Sequence, residues 1–115
     1  TENGAAMADE LKDGLVNDAD RVDYYNAHLN MVHNAVIDGV EVSGYFAWSL
    51  LDNFEWAEGY EPRFGLYHVD RSDYSRIPTE GATVYGEIAG ARAMTQTQRD
   101  TYGGLGPMSE ETEGE

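Results

Sequence analysis

Apolar residues recur at spacings of three and four between Val22 and Val36. Val22, Tyr25, Leu29, Val32 and Val36 fall on one stripe, the pattern of a helix packed along one side. Asp18 or Asp20 stands where a cap can start it, and Gly39, after Asp38, is the natural left-handed stop. The period then changes. Val40, Val42, Gly44, Phe46 and Trp48 share one parity, which predicts a strand over 40–48. Residues 49–63 mix aromatic, acidic and Gly-Pro signals with no clear period and read as a long loop. Phe64 to Val69 reads as a short extended segment, ended by Asp70-Arg71-Ser72-Asp73. Thr79 is placed to cap a second helix running to about Arg99, with Val84, Ile88 and Ala91 inward. Its glycines at 81, 86 and 90 each cost roughly 1 kcal/mol against alanine. Residues 1–19 read as a loop with a turn around Met7 to Lys12. Residues 101–115 read as a disordered acidic tail.

Loop, helix, strand, loop, helix does not close a sheet. One strand is expected before Thr1, and partners for 40–48 elsewhere. The pattern is that of a slice of an alternating α/β protein. The chain opens on Thr1 rather than Met, and its 115 residues suffice for one small domain with a modest core. A piece of a longer protein is the expectation.

Composition narrows the partners. There are 22 acidic residues against 7 basic ones, a net charge of -15, and Lys12 is the one lysine. Such a surface repels nucleic acid and anionic membranes, whose binding requires Lys and Arg to displace counterions. It also repels itself at low salt, and roughly 1 M salt would screen it by shortening the Debye length to about 3 Å. A salt-adapted host fits that balance, and so does a surface kept acidic for solubility. The absence of cysteine excludes disulfides, thiolate catalysis and cysteine-built zinc sites. No apolar run approaches the roughly 18 residues of a membrane span, and a cytoplasmic location is expected.

Metal and phosphate chemistry find no support. His28 and His33 are five apart and do not share a helical face, and His68 stands alone. Asp13, Asp18, Asp20 and Asp23 lack the mid-loop glycine and closing Glu of a calcium loop. No glycine-rich phosphate loop is present, so no cofactor is expected.

Two segments carry chemistry. Thr1-Glu2-Asn3-Gly4 alone is most simply a turn. Trp48-Ser49-Leu50-Leu51-Asp52-Asn53-Phe54-Glu55-Trp56, followed by Arg63-Phe64-Gly65, is more specific. Two indoles with a carboxylate between them suit a sugar: indole faces stack on the C–H face of a pyranose, and a carboxylate accepts hydrogen bonds from neighbouring hydroxyls. Two core tryptophans and a surface glutamate account for the same residues.

Together, and in this order and spacing, the two segments resemble the family 1 glycoside hydrolases, the β-glucosidase and β-galactosidase family. Asp23-Tyr24, His28-Leu29, Asp38-Gly39-Val40 and Gly44-Tyr45-Phe46 between them are similar too. The resemblance implies a (β/α)8 barrel, of which residues 1–100 would be the C-terminal part, from the end of strand 7 through helix 8. It implies Glu2 as the nucleophile of a retaining glycosidase. It implies Trp48 as the platform under the glycone, Glu55 as acceptor for the sugar's 4- and 6-hydroxyls, Trp56 as an indole N–H donor, and Phe64 as an apolar wall near the 6-position. Relatives acting on 6-phosphorylated sugars replace the carboxylate and carry a lysine nearby. This loop keeps Glu55 and has no lysine, so the implied substrate is an unphosphorylated β-glucosyl or galactosyl unit in a di- or oligosaccharide or an aryl or alkyl glycoside.

The family's acid/base belongs to an Asn-Glu-Pro motif, which is absent here. The other necessary partner is therefore the N-terminal remainder of the barrel, and the chain by itself is expected to be inactive. Departures from the family pattern are Tyr60-Glu61-Pro62, where a basic residue is common, Thr79 in place of lysine, and Val84 in place of an aromatic. A sugar-binding module without catalysis and a truncated, inactive product are the alternatives.

Overall fold

The structure is a computed structural model that describes residues 1–102. The tail expected over 101–115 lies outside the described residues from 103 onward. Thr101 and Tyr102 instead belong to the last helix.

The chain begins with a segment that ends in a small hairpin, β1 (Leu11–Lys12) and β2 (Leu15–Val16). Asp13 and Gly14 between them both have positive φ, 53° and 76°, the requirement of a two-residue mirror-image turn. Helix α1 follows over Ala19–Ile37. Tyr25 and Leu29 of the expected stripe are buried, whereas Val36 faces solvent. Gly39 takes φ 87° beyond the helix end, as a left-handed stop demands.

The strand expected over 40–48 does not form as a ladder. Its one bridge pairs Ala47 with Asn3, in parallel. A strand is defined by its neighbours, and among the described residues only the segment around Asn3 lies beside this stretch. A short 3-10 helix, Trp56–Glu58, interrupts the long loop. The extended segment then appears as β3 (Tyr67–Asp70), paired antiparallel with β4 (Ser75–Pro78). The Asp70–Asp73 stop is the turn of this hairpin: Asp70 accepts from the backbone N–H and hydroxyl of Ser72, and Asp73 from the N–H of Ser75.

The second helix is two. Helix α2 covers Glu80–Ala91, Arg92 turns left-handed at φ 54°, and α3 covers Gln96–Tyr102. Ile88 is buried and Val84 half-buried as expected, but Ala91 is exposed. Thr79 caps α2 as expected, accepting from the N–H of Ala82 at 3.3 Å. Its own hydroxyl donates to the carbonyl of Leu66 at 2.6 Å; a lysine, which has no acceptor, could not supply the cap.

Asp18 precedes α1 but makes no side-chain cap on it. Its carboxylate instead accepts from the N–H groups of Glu80 and Gly81, at 3.2 and 2.8 Å, at the start of α2. Asp18 thus joins the start of α1, where its backbone carbonyl accepts from the N–H of Val22, to the first turn of α2, whose free N–H groups favour negative charge. The core between them consists of Tyr25, Leu29, Leu66 and Ile88, with Tyr45, Ala47 and Tyr85 packed against it.

Candidate active site

The site is built where the N-terminal segment meets the end of the 40–48 stretch. The N–H of Asn3 donates to the carbonyl of Phe46 at 2.9 Å, and the N–H of Trp48 donates to the carbonyl of Asn3 at 2.8 Å. Glu2 is therefore the residue just before a bridge whose far side leads directly to Trp48. Its side chain is exposed, and its Oε2 accepts from the Thr1 hydroxyl at 3.1 Å. A shallow cleft lined by Thr1, Glu2, Asn3, Gly44, Tyr45 and Phe46 lies at this junction.

Gly4 makes the approach possible. A Cβ built there would sit 1.8 Å from the carbonyl oxygen of Trp48, so two backbones meet at a distance only glycine permits. The Trp48–Ser49 peptide bond at this point is cis.

Behind the bridge, α1 presents two adjacent phenols. The Tyr24 hydroxyl accepts from Asn3 Nδ2 at 2.9 Å and donates to the carbonyl of Gly4 at 3.1 Å. The Tyr25 hydroxyl donates to the carbonyl of Trp48 at 3.2 Å. From the 40–48 stretch, the Tyr45 hydroxyl donates to Asn3 Oδ1 at 2.5 Å. Burial pushes the Tyr25 hydroxyl up to about 12 and the Tyr45 hydroxyl further still, so both remain donors at ordinary pH.

The loop after Trp48 returns to the same place. The N–H of Ser49 donates to the carbonyl of Phe64, and the N–H of Leu66 to the carbonyl of Ser49. Phe64, half-buried, thus lies across from the residue that follows Trp48. Glu55 joins through side chains: the Ser49 hydroxyl is 3.3 Å from Asn53 Oδ1, and Asn53 Nδ2 donates to Glu55 Oε2 at 2.8 Å. Trp56 starts the 3-10 helix with φ 46° and is 83 % exposed, the most exposed large apolar side chain among the described residues. Trp48 is 42 % exposed. Backbone bonds thus bring Trp48 to Asn3 and Ser49 to Phe64, Glu55 is held by Asn53, and Glu2 and Trp56 are joined to this junction only through the backbone of their neighbours Asn3 and Glu55.

The loop's shape rests on Asp52, a buried residue absent from the expected set. It accepts from Arg63 Nη1 at 2.6 Å, from the N–H of Gly65 at 2.9 Å and from the N–H of Val69 at 3.1 Å. Burial pushes its carboxyl up, but the Arg63 hydrogen bond and the two amides outweigh this and hold it below its ordinary 3.8. Arg63 also donates to the carbonyl of Val69, and its own carbonyl accepts from the N–H of Met7 and from Arg21. Arg21 is itself fully buried, 2.7 Å from a carboxylate oxygen of Asp9 and 3.6 Å from one of Asp18. The N-terminal segment, α1 and the loop are thus pinned at one arginine-rich point. The alternation of buried charge with backbone partners has no period, which is why sequence pattern did not single it out.

The histidines do packing work. His28 stacks on Tyr24 with centroids 3.9 Å apart, and its Nδ1 lies 2.8 Å from the Tyr24 carbonyl. His68 is buried and held below its ordinary 6.5 by burial and by the charge of Arg63. Among the described residues no group of three or more His, Cys, Asp or Glu could hold a metal ion.

The model for glycosyl hydrolase family 1 matches residues 1–94, and the chain belongs to that family. It is 47% identical over 96 residues to a 1,4-β-D-glucan glucohydrolase of Thermotoga neapolitana, covering 83% of this chain and 22% of that protein. It is 49% identical over 89 residues to β-glucosidase A of Thermotoga maritima, covering 76% of this chain and 20% of the relative. It superposes on a solved β-glucosidase of Thermotoga maritima bound to deoxynojirimycin with a TM-score of 0.80 at 45% identity, over 83% of this chain and 22% of the other. These structural neighbours are family 1 enzymes built as (β/α)8 barrels. The chain spans about a fifth of the length of the curated relatives it matches.

Proposed function

We propose that this sequence is the part of a retaining β-glycosidase from the end of the seventh barrel strand through the eighth helix, and that Glu2 is its nucleophile. The observation that carries the reading is the Asn3–Ala47 bridge, which sets an accessible carboxylate beside the tryptophan loop. The Glu2 carboxylate forms a bond to the anomeric carbon as the bond from that carbon to the aglycone oxygen breaks. A carboxylic acid from the remainder of the barrel gives its proton to the departing oxygen. The same group then takes a proton from water, which displaces Glu2 and restores the original anomeric configuration. Two carboxyl groups about 5 Å apart are needed for this. The second is not within these residues, so the chain by itself does not turn over substrate.

Trp48 is the stacking floor for the glycone, and Phe64 the wall near its 6-position. Glu55, aimed by Asn53, accepts hydrogen bonds from the 4- and 6-hydroxyls, and Trp56 donates its indole N–H. A carboxylate at Glu55 repels a 6-phosphate, which favours an unphosphorylated glucosyl or galactosyl unit. The β-glucosidases among the relatives support the glucosyl choice.

The test is mass spectrometry after incubation with a 2-deoxy-2-fluoroglucosyl fluoride, which forms the glycosyl-enzyme but hydrolyses slowly. A peptide adduct on Glu2 in the full-length protein, and none in the 115-residue chain alone, is expected. An adduct on another carboxylate would overturn the assignment.

A further inference from the structure

Asn3 is held on every side. Its backbone N–H and carbonyl both enter the bridge to Phe46 and Trp48. Its side-chain oxygen accepts from Tyr45 at 2.5 Å, and its side-chain nitrogen donates to Tyr24 at 2.9 Å. A phenol carries one proton, and that of Tyr24 is committed to the Gly4 carbonyl. The Tyr24 oxygen can therefore only accept from Asn3, which fixes which end of the amide faces which tyrosine. Tyr24 is in turn locked by its stack on His28 and its edge contact with Tyr25, 5.5 Å between centroids. All three groups are half-buried; Asn3 and Tyr45 line the cleft that holds Glu2, and Tyr24 is not among its lining residues.

We propose that Asn3, Tyr24 and Tyr45 are positioning residues that fix the Glu2–Asn3–Gly4 peptide against the Phe46–Trp48 backbone, so that only the side-chain torsions of Glu2 remain free when it attacks. The proposal rests on the reading of Glu2 as nucleophile. An attacking carboxylate must reach the anomeric carbon in line, and misplacement by about 1 Å can cost on the order of a hundredfold in rate. A clamp acting on the peptide next to the nucleophile restricts that error without touching the sugar.

The test uses the full-length enzyme, Tyr45→Phe and Tyr24→Phe, each made alone and in a Glu2→Ala background. The substrate is a dinitrophenyl β-glucoside, whose leaving group departs without help from an acid. In the Glu2→Ala background, added azide takes the place of the carboxylate: its nitrogen bonds to the anomeric carbon as dinitrophenolate leaves, giving a glycosyl azide. With Glu2 present, each phenylalanine variant should lower kcat by about 10- to 100-fold. With Glu2 absent, it should leave the azide rate within about twofold, because the group being positioned is gone.

Equal losses in the two backgrounds would overturn the proposal, since the tyrosines would then merely shape the pocket. So would full activity of both variants with Glu2 present. Should Tyr45→Phe not fold, Tyr24→Phe removes the hydroxyl on the other side of the same amide and decides the matter. If Glu2→Ala keeps its activity, or is inactive and not rescued by azide, the nucleophile reading itself fails, whatever the tyrosine variants do.

Discussion

At the residue scale, one hydrogen atom decides whether two backbones can meet. The 1.8 Å between a Cβ on residue 4 and the Trp48 carbonyl leaves Gly4→Ala no room, and the neighbour is backbone, not a flexible side-chain tip. The substitution should cost about 1–3 kcal/mol, as overpacking does. It should also displace Glu2, so kcat of the full-length enzyme should fall further than the Tm shift explains. Steady-state kinetics beside thermal melts would check this. Glu55 offers a test of binding. Its carboxylate is oriented by Asn53 at 2.8 Å, and a hydrogen bond to a charged group contributes about 1.5–3 kcal/mol. Glu55→Gln should therefore lower kcat/KM for β-glucosides by about 10- to 100-fold, and should penalise a 6-phosphorylated glucoside less than an unphosphorylated one. An unchanged ratio between the two sugars would remove the charge argument for substrate choice.

Elements here are joined by buried charge more than by ladders. Asp52 ties the loop to β3, and truncating one partner of a buried pair typically costs about 3–5 kcal/mol. Asp52→Asn retains the shape but loses the charge toward Arg63 and should be destabilising at neutral pH. The pH dependence has a definite sign. Asp52 is held below its ordinary 3.8 in the folded state, so its stabilisation is present above 3.8 and is lost as pH falls through its lower folded value. His68 is likewise depressed, from 6.5; its contribution is present above 6.5 and is lost as pH falls through its folded value. Denaturant melts from pH 7 down to 3 should show wild type weakening in both windows, and Asp52→Asn should lose less in the more acidic one, where Asp70, also held below 3.8 by its hydrogen bonds from Ser72, still contributes. The cap at α2 is a second joint. Thr79→Ala removes both the cap on Ala82 and the bond to Leu66, and should cost about 1–2 kcal/mol.

Over the whole molecule, the charge of -15 and the exposed apolar side chains between Phe46 and Trp56 set the behaviour. Phe46, Trp48, Leu50, Phe54 and Trp56 are all exposed, five large apolar side chains within eleven residues. In the full-length protein, dye binding to exposed apolar surface should be weaker per chain than for the 115-residue chain. Raising salt from about 0.1 to 1 M shortens the Debye length from about 10 Å to 3 Å. Self-repulsion should fade with it, and the melting temperature should rise. A flat or falling melting temperature would show that the surface charges do not limit stability.

What the sequence determined by itself were the features with local causes. The apolar spacing from Val22 to Leu29 specifies α1, Gly39 its end, and Thr79 the start of α2, because each acts on its own turn of backbone. Two further features are equally local: Asp13-Gly14, which makes the first hairpin, and Thr95 with Gln98. Those two cap each other, the Thr95 hydroxyl accepting from the Gln98 N–H and the Gln98 side chain from the Thr95 N–H, so that α3 begins anew after Arg92 instead of continuing α2. The motif at Glu2 and the loop from Trp48 to Phe64 made the family legible, because their residue types and spacing are uncommon together; the roles of their residues are proposals. Only the tertiary structure decided that Asn3 bridges to Ala47, that Tyr24 and Tyr45 grip its amide, that Asp18 serves the other helix, and that Asp52 holds the loop to Arg63. Those partners lie between 11 and 63 positions apart in the chain. No periodicity encodes such distances; they arise when packing of Tyr25, Leu29, Leu66 and Ile88 brings remote segments together and each buried polar group must find a partner.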